Sequence, residues 1–306
     1  MKNYYRIMLG KGSMYAPEAK AGNFIGVDFL PKIDLTNRLP ADWRESNKKL
    51  IPEYLKENPE KSKVAAGLAC ANLWTVAKYL KRGDIVLCPD GSGTYMIGEI
   101  VGDYEYKKSE VLPHRRSVAW VGSVERTAMS QSLQNSAGSI GTVSNVSGYA
   151  AEIDSFITNP TTKLVSTDET VEDPSVFALE KHLEDFLVHN WTHTELGKKY
   201  DIYEQDGEII GQQYPSDTGP IDILAISKDK KELLVVELKK GRINDVVVGQ
   251  IQRYMGYVKD ELAEKNQEVK GVIIALEDSV GLQRALSVTT NIDFMTYKVR
   301  FSLEKK

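Results

Sequence analysis

Three side chains in two neighbouring runs of the chain could do chemistry together. Asp222 lies in Gly219-Pro220-Ile221-Asp222-Ile223-Leu224, and Glu237 and Lys239 lie in Val235-Val236-Glu237-Leu238-Lys239. Positions two apart in a strand share a face, so Glu237 and Lys239 point the same way. A hairpin would lay the Asp222 run beside them and gather two carboxylates and an ammonium at one spot on an otherwise apolar sheet. Glu and Lys among Val235, Val236 and Leu238 cost solvation energy unless they are paired or bind metal. Such a set suits hydrolysis of a phosphodiester. Carboxylates hold one or two Mg²⁺ ions, which activate water and screen the growing negative charge. A lysine beside them orients or deprotonates the attacking water, or stabilises charge in the transition state. The bland alternative is a strand with a surface ion pair, which an isolated Asp…Glu-x-Lys pattern does not exclude.

The elements around these residues read as α/β with a mixed sheet. A helix opens at Pro174-Ser175 and runs to about His189, with Phe177, Leu179, Leu183, Phe186 and Leu187 on its apolar side. Ile209–Tyr214 reads as a short strand. Ile221–Ile226 and Glu232–Lys239 are strands joined by the polar turn Ser227–Lys231. Val246–Leu262 reads as a helix, Val269–Leu276 as a buried strand and Thr296–Leu303 as the last strand. His182, His189 and His193 cluster in sequence, but no Cys or nearby carboxylate completes a tetrahedral zinc set, so a structural or surface role is favoured.

On these residues the second half resembles the PD-(D/E)XK nuclease superfamily, and within it the NucS-like endonuclease domain and Mrr-type restriction enzymes. The resemblance runs over about residues 175–304. It implies that Asp222 and Glu237 are metal carboxylates and Lys239 the catalytic lysine. Gly249-Gln250-Ile251-Gln252-Arg253-Tyr254 is similar to the Gln-x-x-x-Tyr helix of these families, so Gln250 and Tyr254 would line the site. Phe177–Glu184 resembles the opening helix that lends an acidic side chain. Glu180 and Glu184 are four apart on one helical face, and Glu180 is favoured. Lys240 and Arg242 would contact phosphate or form a solvated rim. Gly-Pro-Ile-Asp stands here where Pro-Asp gives the superfamily its name.

The first half carries no acid–base cluster of this quality. Strands are expected at Tyr4–Leu9, over 22–29, at Asp84–Cys88, Thr94–Val101 and Ser117–Val121, with one helix over Ala65–Leu80. The stretch Ser130–Gly148 reads as a surface loop with short ordered pieces. Short strands with few helices suggest a small, curved, barrel-like sheet. Gly83–Leu87 with Tyr95–Ile100, and Gly102–Tyr106 with His114–Trp120, resemble the central hairpins of PUA-like and EVE-like domains over about residues 3–155. In restriction enzymes such domains read modified bases, which implies a flipped base needing aromatic faces and polar groups. Trp43, Trp74, Trp120, Tyr104 and Tyr106 are available, although Trp74 and Trp120 sit at positions that favour the core. Asn23 could bond a base edge, and Lys107, Lys108, Arg115 and Arg116 could position phosphates.

Composition sets the limits. A chain of 306 residues suggests two domains. The proline-punctuated, polar segment from Ser155 to Pro174 reads as the divide, giving a DNA-reading domain over 1–160, a linker over 161–174 and a nuclease domain over 175–306. The first 160 residues hold 20 basic and 17 acidic side chains and the remainder 19 and 26, for a net charge of −4. That balance argues against a nonspecific nucleic-acid coat but not against a local phosphate-binding face. The longest apolar run, Val64–Ala77, is too short for a membrane span. The N-terminus lacks a signal core, and Cys70 and Cys88 cannot build a disulfide framework, so a cytoplasmic protein is expected. The expected function is a Mg²⁺- or Mn²⁺-dependent endonuclease on double-stranded DNA, acting in restriction or phage defence, with modified bases as one target and a homodimer as the working form. The alternatives are a NucS-like mismatch repair nuclease and a DNA-binding protein with an inert nuclease fold.

Overall fold

The computed structural model describes residues 2–138, 141–158, 183–205, 208–239 and 245–297. The chain separates into two compact units, residues 1–168 and 169–306. The linker expected over 161–174 and most of the expected opening helix lie outside the described residues. No helix among the described residues is long and apolar enough to cross a membrane.

The first unit is built on a six-stranded sheet. Its strands are β1 (Tyr4–Ile7), β2 (Phe24–Val27), β3 (Ile85–Pro89), β4 (Thr94–Tyr106), β5 (His114–Glu125) and β6 (Val143–Asn145), in spatial order β2-β5-β4-β3-β1-β6. Only β1 and β3 run parallel. In β3 the residues Ile85, Val86, Leu87 and Cys88 are all buried, because both faces of the sheet are covered. Val86 and Cys88 pack with Cys70 and Leu73 of the helix Lys63–Trp74 and with Val76 just beyond it, while Ile85 and Leu87 pack with Leu133, Ile153 and Phe156. The helices are α1 (Ala16–Gly22), α2 (Trp43–Glu57), α3 (Lys63–Trp74), α4 (Gln131–Ala137) and α5 (Ala150–Thr158). Side-chain caps start α2 and α3: Asp42 accepts from Glu45 N–H at 3.0 Å and Ser62 from Ala65 N–H at 3.2 Å.

Several expectations change here. The strand path is open from β2 to β6 and no closed barrel forms, because helices rather than further strands cover the sheet. The ordered pieces expected within Ser130–Gly148 are present, but they do not lie at the surface throughout: Leu133 and Ala137 of α4 are fully buried against the sheet. The divide does not begin at Ser155, since α5 continues to Thr158 and buries Phe156. Asn23 is not a strand residue. It ends α1 in the left-handed region, at φ 53°, where Asn is among the best tolerated residues.

In the second unit the strands are β7 (Tyr200–Ile202), β8 (Glu204–Gln205), β9 (Glu208–Ile209), β10 (Gln212–Ser216), β11 (Gly219–Ser227), β12 (Glu232–Lys239), β13 (Glu268–Ala275) and β14 (Ile292–Thr296). The sheet runs β10-β11-β12-β13-β14, with β7 also pairing β11, and β8 and β9 form a separate ribbon. β10, β11 and β12 pair antiparallel, whereas β12, β13 and β14 pair parallel, so the sheet is mixed as expected. Residues 183–189 are helical; α6 (Val246–Tyr257) and α7 (Val280–Leu286) complete the unit.

Alternation along the two central strands decides which residues share a face. Ile223 and Ala225 of β11, with Leu234, Val236 and Leu238 of β12, enter one apolar cluster with Trp191 and Tyr200. Asp222, Glu237 and Lys239 occupy the alternate positions and therefore share the opposite face. The register pairs Ile223 with Val236, which leaves Asp222 and Glu237 as the next opposed positions.

Candidate active site

The charged face of the β11–β12 hairpin carries its groups within hydrogen-bonding range. Lys239 Nζ stands 2.7 Å from Glu237 Oε1. The Glu237 side chain is 2% exposed and that of Lys239 31%, so the carboxylate is enclosed while the lysine side chain is partly exposed. Asp222 Oδ2 accepts the Leu238 N–H at 2.8 Å, which fixes one edge of that carboxylate to the neighbouring strand. Burial, and then the charge of Glu237, hold the Asp222 carboxyl well above the usual carboxylate range, against the Leu238 hydrogen bond and the Lys239 charge. Two buried carboxylates here face one lysine, an arrangement that a divalent cation would relieve.

A third carboxylate joins from the helical residues 183–189. Glu184 is 4% exposed; its Oε1 accepts Gln212 Nε2 at 2.7 Å and its Oε2 accepts Gln213 Nε2 at 2.5 Å. Gln213 Nε2 also lies 3.3 Å from Asp222 Oδ1. Glu180, favoured from the sequence, lies outside the described residues. Gln212 and Gln213 were not singled out by sequence reasoning. Their only signal was a polar pair beside Tyr214 in a run expected to be a strand.

From α6, the Gln250 amide donates to the Tyr254 hydroxyl at 3.1 Å. Tyr254 is buried, and its hydroxyl pKa is raised first by burial and also by the charges of Glu237 and Asp222. The Tyr254 hydroxyl lies beside Gly219, at the start of the strand that carries Asp222. Gly219 admits this approach, since a Cβ there would stand 3.2 Å from the Tyr254 hydroxyl.

Asp222 and Glu237 offer hard oxygen donors. Among the described residues no three His, Cys, Asp or Glu side chains gather closely enough to hold an ion by themselves. Two carboxylates nevertheless fit Mg²⁺, which keeps several waters and takes oxygens from a phosphate. His189 and His193 are exposed, and His189 Nδ1 lies 2.6 Å from the Asp185 carbonyl, in keeping with a surface role; His182, Lys240 and Arg242 lie outside the described residues.

The residues expected to contact DNA in the first unit divide sharply. Arg115 and Arg116 are 9% and 6% exposed, so they do not form a phosphate-facing patch. Arg115 stacks on Phe24 and donates to Leu112 and Val111 carbonyls and to Glu110. Arg116 donates to the Val76 and Ala77 carbonyls at 2.7 and 3.1 Å. The Val76 and Ala77 carbonyls belong to the short helical segment Thr75–Tyr79, and a cation satisfies them at its end. Lys107 and Lys108 are exposed beyond β4, with Lys107 paired to Glu105 at 2.9 Å. Trp43 opens α2 and is half-buried, and Asn23 is exposed.

Comparison with known proteins divides the chain at about the same place. Residues 180–299 match the family model described as the endonuclease NucS C-terminal domain, and residues 6–147 match a domain of unknown function (DUF8426). A curated relative, Endonuclease NucS of Methanocaldococcus jannaschii, is 30% identical over 94 residues, which are 31% of this chain and 34% of that protein. The chain thus spans about a third of that relative's length. Among solved structures, a repair endonuclease from Pyrococcus abyssi aligns at 15% identity and a TM-score of 0.31, over 69% of this chain and 66% of the other. A complex of EndoMS with double-stranded DNA aligns at 14% and 0.32, over 70% and 68%. The second half is similar in sequence to NucS endonucleases.

Proposed function

We propose that the chain is a metal-dependent DNA endonuclease whose second unit hydrolyses the phosphodiester. The observation that carries this is the Glu237–Lys239 ion pair with Asp222 beside it on one face of the β11–β12 hairpin, inside the stretch similar to the NucS C-terminal domain. Asp222 and Glu237 would hold Mg²⁺ or Mn²⁺, with a third carboxylate from the preceding helix, Glu184 by the contacts described or Glu180 by resemblance. When bound, the ion lowers the pKa of a coordinated water and screens charge on the phosphate. Lys239 would hold the attacking water or a phosphate oxygen, aimed by its ion pair with Glu237. Tyr254, fixed by Gln250, closes one wall.

We place DNA reading in the first unit. A cavity of about 470 Å³ there, lined by Leu35, Leu50 and the buried Ser46 together with Lys32, Arg38, Lys49 and the acidic Asp34 and Glu53, is our candidate place for a nucleotide-sized ligand. The biological role we favour is restriction or phage defence with a preference for modified bases; repair at mismatches is the alternative. Cutting both strands requires two such sites, which favours a homodimer.

The decisive experiment incubates the full chain in Mg²⁺ with plasmids bearing or lacking cytosine modification and with a mismatched duplex. Cleavage by the wild type that falls at least a hundredfold in Asp222→Ala and in Lys239→Ala, with DNA binding retained, is the expected outcome. Undiminished cutting by both variants would show that the site is misassigned. Binding without cleavage of any substrate would favour the inert nuclease fold.

A further inference from the structure

We infer that Gln213 is a positioning residue: it holds Glu184 against Asp222 with a neutral amide, so that both carboxylates are turned toward one cation with no basic side chain between them. The inference rests on the nuclease reading above and adds a residue to it. Neighbouring strand residues send their side chains to opposite faces. Gln212 and Gln213 of β10 nevertheless both reach Glu184, one at each carboxylate oxygen, 2.7 and 2.5 Å away. The backbone accounts for this. Gln213, the second residue of β10, has φ 50° between two neighbours in regular register, Gln212 opposite Ile223 and Tyr214 opposite Ile221. A left-handed, non-glycine residue inside a strand is uncommon and strained, and such strain concentrates at functional sites. Here it turns the second amide onto the same carboxylate as the first.

The type of residue matters as much as its placement. A buried carboxylate needs hydrogen-bond donors. Arg or Lys would supply them but would also cancel the charge a cation needs. A glutamine amide carries two N–H groups and no charge. Gln213 Nε2 stands within range of both Glu184 Oε2 and Asp222 Oδ1, so one nitrogen spans both carboxyl groups without adding a charge. Gln212 is not equivalent. Its amide reaches Glu184 and Asp185, at 2.7 and 3.1 Å.

Two readouts separate positioning from mere structure. Mn²⁺ binding to the full chain without DNA is measured by titration calorimetry, alongside thermal unfolding of the metal-free protein. Gln213→Gly removes the amide while relieving the left-handed backbone. It should unfold at or above the wild-type temperature yet bind Mn²⁺ about tenfold more weakly, the scale typical of groups that orient metal ligands. The Mn²⁺ concentration for half-maximal cleavage should rise by the same factor, with the rate at saturating metal largely kept. Gln212→Ala should lose less affinity. If Gln213→Gly fails to fold, Gln213→Asn, which tolerates the backbone but has a shorter arm, is read in the same assay with the same expectation. Wild-type Mn²⁺ affinity in the folded variant overturns this inference alone. A wild-type chain that takes up no Mn²⁺ overturns the nuclease reading with it.

Discussion

Arg116 shows how far a residue's role depends on where its guanidinium ends. In sequence, Arg115-Arg116 looks like a patch for phosphates. In the fold, Arg116 reaches across to the Val76 and Ala77 carbonyls, at the end of the helical segment that follows α3. Removing it leaves those buried acceptors without their donors. Arg116→Ala should therefore destabilise the first unit by about 2–4 kcal/mol, the range for stripping a buried, charge-assisted donor. Arg116→Lys should recover only part of this, because an ammonium lacks the planar fork. Urea denaturation of both variants checks it; an unfolding free energy unchanged in Arg116→Ala would show that the guanidinium has no structural role. Asp222 depends on its surroundings in the same way. Its raised pKa reflects enclosure beside Glu237, which the residue name does not reveal.

At the scale of elements, the β11–β12 hairpin does most of the positioning. β12 spans Glu232–Lys239, the run expected from its apolar residues. Its alternation puts Leu234, Val236 and Leu238 into the core and leaves Glu237 and Lys239 on the other face. β11 begins at Gly219, whose φ of 128° is open to glycine and strained for other residues. That start sits against the Tyr254 hydroxyl from α6. Gly219→Ala should cost more than about 1 kcal/mol of stability and should also slow cleavage by displacing Tyr254. Chemical denaturation and cleavage rates at saturating Mg²⁺ read the two effects separately. Full stability in Gly219→Ala would mean the strand start accommodates a side chain, and the close approach of α6 would then need another cause.

For the molecule as a whole, acid sensitivity has an identifiable source in the second unit. Glu232 ties three strand ends together. It accepts from Lys199 and Tyr200 at one oxygen, at 2.6 and 2.5 Å, and from Lys270 at the other, at 2.8 Å. Burial alone would raise its pKa, but these three hydrogen bonds outweigh it and hold the carboxyl at about 2 instead of its ordinary 4.5. A carboxylate whose pKa is lowered on folding contributes stability above its unfolded value and loses it as pH falls through the folded one. The stability gap between wild type and Glu232→Gln should therefore be constant above about pH 4.5 and close as pH falls toward 2. Equilibrium unfolding across that range measures it, and a gap independent of pH would mean the cluster does not hold Glu232 ionised. The uneven charge of the two halves bears on function at this same scale. The basic balance lies in the first 160 residues, so on the proposed reading attraction for DNA would fall to the first unit.

The sequence by itself determined the α/β character, the existence of two units, the mixed sheet of the second and the face shared by Glu237 and Lys239. All of these follow from local rules: apolar periodicity, period-two alternation and turn composition act over a few residues and are written in order along the chain. It also pointed to Gln250 and Tyr254, through resemblance to the Gln-x-x-x-Tyr helix of the nuclease families. Tertiary structure decided the rest. Whether Arg116 faces solvent or carbonyls depends on a helix end some 40 residues away. Whether Ser130–Gly148 is loop or layer depends on a sheet face that needs covering. Gln213 became part of the site only through a left-handed backbone that brings two distant carboxylates to one amide. Burial and charge proximity are properties of assembled neighbours, and no spacing along a single chain encodes them directly.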